Sequence, residues 1–147
     1  MATEFDQVLF EQHHEVALAL PAAKRWDLER DKNVPLGVFC TMHPRNAPTE
    51  HYRVQLRWTD YSKPASVKFI NLENKSETDP RAWPNIDGTR PTSFFLCAPW
   101  TKEGHDHHSE WSGSEAGRYN TPEEPLVFAL VQLQHLFDNT YQGRGTS

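Results

Sequence analysis

Residues 51–59 read HYRVQLRWT, and this stretch constrains the fold most. Tyr52, Val54, Leu56 and Trp58 alternate with Arg53, Gln55 and Arg57. Side chains of a strand point to opposite faces in turn, so this pattern demands a strand with one buried and one wet face. Such a strand is stable only in a sheet whose apolar side is covered. Its neighbours are close by. LGVFCTM, residues 36–42, reads as a strand, and HPRNAPTE turns the chain back. After a break at Ser62 to Pro64, ASVKFINL reads as the next strand. A helix is expected over residues 5–20, with Phe5, Leu9, Val16 and Leu20 on its apolar face and Pro21 ending it. His13 and His14 are expected at its surface.

Eleven prolines keep the elements short. Residues 73–92 read as loop, SFFLC as a short apolar stretch, and TKEGHDHHSEWSGSEAGRYN as polar loop. TPEEPLVFALVQLQHLFDN then predicts a helix with Leu126, Val127, Leu130, Val131, Leu133, Leu136 and Phe137 on a wide apolar face. Thr121 and Glu124 have capping-box spacing, although Pro125 suits a first helical position. The order helix, antiparallel strands, long loop, helix predicts an α+β fold: a meander of about four strands with an N-terminal and a C-terminal helix. A length of 147 residues suits one domain, 1–147.

A net charge of -5 and the lack of any Lys/Arg run argue against nucleic acid as a partner. The apolar runs are too short for a membrane span. The acidic start MATEFDQVLFEQHHEV has no basic n-region and does not read as a secretory signal. Two cysteines are too few for a disulfide framework, so free thiols in a reducing cytoplasm are expected. Cys40 reads as a core residue. Cys97 follows FFL and, on spacing alone, is more often core than nucleophile. GHDHHSEW with Cys97 holds enough ligand types for zinc, but no C-x-x-C or H-x-x-x-H spacing supports a site, and no metal or cofactor is expected.

The middle of the chain resembles the ubiquitin-conjugating enzyme family. VQLRWTDYSKPASVKF is similar to the stretch where one strand of that family ends, a Tyr- and Pro-containing turn follows, and the next strand begins. The family then has His-Pro-Asn, a Gly-containing turn and the catalytic cysteine. This chain has Trp83-Pro84-Asn85, Ile86-Asp87-Gly88 and Cys97. Trp111 and the helix after Thr121 fill the places of a later Trp and helix. The specific part spans residues 60–111; element order extends the likeness over 5–139. Trp83 stands in place of His, Ala98 in place of Leu, the loops around Cys97 are longer, and further C-terminal helices are absent. These departures resemble a divergent member, such as those of bacterial ubiquitin-like conjugation systems.

The resemblance implies a ubiquitin-conjugating-like fold and a transferase. Cys97 would take a ubiquitin-like modifier protein as a thioester from an activating enzyme and pass it to an amine of a target protein. A thiol is both a good nucleophile and a good leaving group. Asn85 is the candidate amide donor to the tetrahedral oxyanion, or else the residue that orders the loop. Asp106, His107 and His108 are candidates to receive the amine's proton. The first helix would dock the activating enzyme, with Glu4, Glu11 and Glu15 forming an acidic side. Two other readings stay open: a noncatalytic binding module of the same fold, and a Cys/His hydrolase or metal protein, which needs a His aimed at the Cys97 sulfur.

Overall fold

The computed structural model describes residues 2–90, 92–115 and 117–146. The fold is α+β. Helix α1 spans Glu4–Leu18, and a single turn, α2, spans Ala23–Trp26. Four strands follow: β1 Glu29–Arg30, β2 Gly37–Met42, β3 Tyr52–Arg57 and β4 Ser66–Ile70. They pair antiparallel in the order β1-β2-β3-β4. Thus the expected meander is present, with β1 as a two-residue edge strand that too few residues announce. A small hairpin of β5, Thr89–Arg90, and β6, Phe95–Leu96, precedes helix α3, Lys102–His107. Helix α4, Pro125–Thr140, closes the fold.

The β3 alternation has the expected sense, except that Gln55, expected on the wet face, is also buried. Tyr52, Val54, Leu56 and, just past the strand, Trp58 are buried. Val54 pairs with Cys40 and Phe69, and Leu56 with Val38 and Val67, so three strands present one apolar face. Helix α4 covers it: Phe137 lies 5.3 Å from the Tyr52 ring and 6.0 Å from that of Phe69. On the opposite face Arg53 bonds Glu29 and Thr41, and Arg57 bonds Asp31 at 2.8 Å.

Several sequence expectations are corrected. The buried side of α1 is Phe10, His13, His14 and Ala17, while Phe5 is 69% and Val16 39% exposed. Positions 10, 13, 14 and 17 form a true i, i+3, i+4, i+7 stripe. Two histidines within it hid the stripe from an apolar count. His13 and His14 are therefore core-facing, not surface residues. Thr121 caps nothing: its hydroxyl donates to the Ser62 carbonyl, and α4 starts at Pro125 with Glu124 making no side-chain cap. The stretch after Cys97 is not all loop, because α3 and a 3-10 turn at Ser109–Gly113 form within it. Val131 of α4 also turns outward, whereas Ala129 takes a core position.

Candidate functional site

The hairpin that carries Cys97 is built by the preceding turn. A 3-10 turn at Pro80–Ala82 ends at Trp83, which is fully buried against Phe69 and Phe94 and donates its indole N–H to the Glu77 carbonyl. Trp83 thus anchors the Trp-Pro-Asn stretch to the core by its ring. Gly88 then turns the chain with φ of +92°, a conformation that favours glycine. A Cβ here would lie 2.5 Å from the Cys97 carbonyl oxygen. The absent side chain is what lets the two segments meet, and the Cys97 N–H donates to Gly88 O at 2.7 Å. Phe94 lies in the left-handed region at φ +56°, where a non-glycine residue is strained. Its carbonyl accepts from the Lys68 ammonium at 3.2 Å.

Cys97 is a free, half-buried thiol directly after β6. Cys40 is fully buried in β2, and burial pushes its thiol up to about 12. Of the two, Cys97 is the more exposed.

Asn85 is gripped by the end of the chain. Its N–H donates to Gly143 O, its carbonyl accepts from the Gln142 N–H, both at 2.8 Å, and its side-chain amide donates to Arg144 O at 3.4 Å. Gly145 N–H donates to Trp83 O at 2.8 Å, and Pro84 bridges to Arg144. The amide is therefore engaged by a backbone carbonyl, through a long bond. Asn85, Asp87, Arg90, Asn139 and Gln142 line an open polar cleft of about 520 Å³ beside the hairpin.

Beyond Cys97 the chain is fastened to the sheet edge. Thr101, fully buried, caps α3 by accepting from the Gly104 N–H at 3.0 Å and donates its hydroxyl to Leu96 O at 2.7 Å. Gly104 has no room for a side chain, since a Cβ would lie 2.4 Å from Ala98 O. Glu103 reaches β4: its carboxylate accepts from the Val67 N–H at 3.0 Å and from the Ser66 hydroxyl, and lies 3.8 Å from the Lys68 ammonium. Sequence reading passed over Thr101 and Glu103. The Thr-x-x-Gly spacing at a loop-to-helix junction was the available signal.

The three candidate proton acceptors have other partners. Asp106 pairs with Lys102 at 2.7 Å on the helix surface, which raises the lysine pKa. His107 stacks on Phe95, rings 4.0 Å apart, with Nδ1 2.9 Å from Glu103 O. His108 stacks on Trp111, and its Nδ1 lies 3.0 Å from Glu110. That contact holds the Glu110 carboxyl below its usual range. His107 is thereby placed against Phe95 of β6, two residues before Cys97 in sequence, whereas Asp106 and His108 are engaged in their own contacts. Among the described residues, the His-rich stretch brings no three metal-ligating groups together.

Comparison with known proteins returns no matching family model, no matching curated protein and no matching solved structure. Among the described residues no helix is long and apolar enough to cross a membrane.

Proposed function

We propose that the chain is a ubiquitin-conjugating-like transferase that carries a ubiquitin-like modifier on Cys97. The observation that carries this reading is the half-buried free thiol directly after a hairpin that a Trp-Pro-Asn stretch and a glycine turn set in place. The order α1, four-stranded meander, Trp-Pro-Asn, cysteine, long helix supports a ubiquitin-conjugating-like fold. In loading, the Cys97 thiolate attacks the thioester carbonyl on the activating enzyme. A new carbon–sulfur bond forms, and the activating enzyme's thiolate leaves. In transfer, a target amine attacks the Cys97 thioester and an amide forms. The Cys97 thiolate leaves, and the amine proton passes to a base, for which Asp106, His107 and His108 are the candidates. Asn85 donates to the oxyanion once its amide leaves the Arg144 carbonyl.

That same Asn85–Arg144 contact favours a second reading, a noncatalytic binder of this fold. Incubation with an activating enzyme, modifier and ATP, followed by a nonreducing gel, separates the two. A thiol-sensitive adduct is expected on the native chain. Cys97→Ser should trap a thiol-resistant oxyester, Cys97→Ala should give no adduct, and Cys40→Ala should still load. An adduct that survives in Cys97→Ala and vanishes in Cys40→Ala would reject the assignment.

A further inference from the structure

One side chain far from the hairpin lacks the partners its burial calls for. His14 of α1 is only 8% exposed, and neither ring nitrogen has a hydrogen-bond partner. A buried polar group without a partner loses its hydration with nothing in return. Glu11, His14 and Glu15 occupy positions i, i+3 and i+4, which one side of a helix brings together. One ligand atom from each lies within 4.8 Å of the other two, and both glutamates are exposed. The two carboxylates repel each other at this spacing, so the arrangement is incomplete for both the acids and the imidazole.

We propose that Glu11, His14 and Glu15 form a site for a divalent ion of the zinc class, with one ring nitrogen and two carboxylate oxygens as ligands. Zinc takes such donors at about 2.0–2.2 Å, which sets ligand atoms about 3.4 Å apart. The exposed glutamate side chains need to close by no more than about 1.4 Å to reach that spacing. The donor set is borderline rather than hard: an imidazole favours zinc over magnesium. Two carboxylates balance the ion's charge. Arg30 holds one oxygen of Glu11 by donating to Oε2, and the other oxygen is the one available to the ion. The Arg30 guanidinium opposes a bound dication, and three protein ligands leave a fourth tetrahedral position for water or a partner's side chain.

The test adds Zn²⁺ to the metal-free full chain. Affinity is followed by competition with a chromophoric chelator, and the His14 ring by NMR. The His14 ring signals should shift with one equivalent of zinc, and millimolar Mg²⁺ should leave them in place. Glu11→Gln and Glu15→Gln should each weaken zinc binding at least about tenfold, while His105→Gln binds as the native chain does. Both glutamates are exposed, so the variants should keep the native circular dichroism spectrum. The proposal is overturned if zinc leaves the His14 signals unmoved, or if Glu15→Gln binds zinc as tightly as the native chain.

Discussion

His13 and His14 are the side chains whose protonation the fold resists most plainly. The Tyr61 hydroxyl accepts from the Leu126 N–H at 3.1 Å and shares a hydrogen bond with His13 Nδ1, 2.7 Å away. Burial lowers both histidine pKa values below the ordinary 6.5; Glu124 opposes the shift at His13, whereas Arg30 adds to it at His14. The unfolded chain takes up these protons at 6.5, and the folded chain only at lower pH. Between the two values, unfolding binds protons, so stability is complete above 6.5 and declines as pH falls through and below it. Thermal unfolding between about pH 8 and about pH 5 should show Tm falling on the acid side. His13→Gln combined with His14→Gln should flatten that limb. An unchanged pH profile in the double variant would assign the decline to other groups.

At the scale of elements, α3 is held in place less by its own six residues than by one carboxylate. A helix this short is marginal alone. Glu103 stabilises it by satisfying the edge of β4, where the Val67 N–H has its acceptor. Lys102 N–H adds a bond to Ala65 O at 2.7 Å, and Thr101 bridges to the same residue. Glu103→Ala leaves the Val67 N–H without that acceptor and the Lys68 ammonium without its neighbour. A loss of about 1–3 kcal/mol in urea unfolding is expected. Amide exchange should quicken along Ala98 to His107 before it does in β3. Equal protection of both segments in the variant would show that α3 stands without this link.

Across the whole molecule, the two ends of the sequence meet different parts of one core. Helix α1 packs on α4, and the segment after α4 returns to the Trp-Pro-Asn stretch. Arg144 is the rivet: its guanidinium donates to the carbonyls of Arg81 and His51 and lies 4.1 Å over the Tyr52 ring. Removing residues 142–147 deletes these contacts and frees Asn85. Tm should fall by several degrees, since about 1–2 kcal/mol shifts the midpoint of a domain this size by roughly 3–8 °C. On the proposed reading, modifier loading per folded molecule should hold or rise, because the Asn85 amide no longer serves a carbonyl. A truncated chain that is folded yet loads more slowly would show that the return segment positions Asn85 for the reaction.

The α+β class, the meander and the burial sense of β3 were legible in the sequence because strand periodicity is local. Each residue's face follows from its neighbours two positions away. The start of α4 at Pro125 was legible for the same reason, since proline's fixed φ and missing N–H suit a first turn. What only the tertiary structure decided was every feature set by a distant partner. His13 is buried because Tyr61 lies 48 residues on and offers a hydroxyl. Thr121 does not cap α4 because the helix starts only at Pro125, and its hydroxyl is tied instead to the carbonyl of Ser62, 59 residues earlier. Helix α3 forms in a stretch of polar, glycine-bearing residues because β4 has an edge N–H to satisfy. Cys97 and Asn85 were picked out as residue types at a spacing. The carbonyl that Asn85 engages comes from 59 residues later, and no local pattern carries that information.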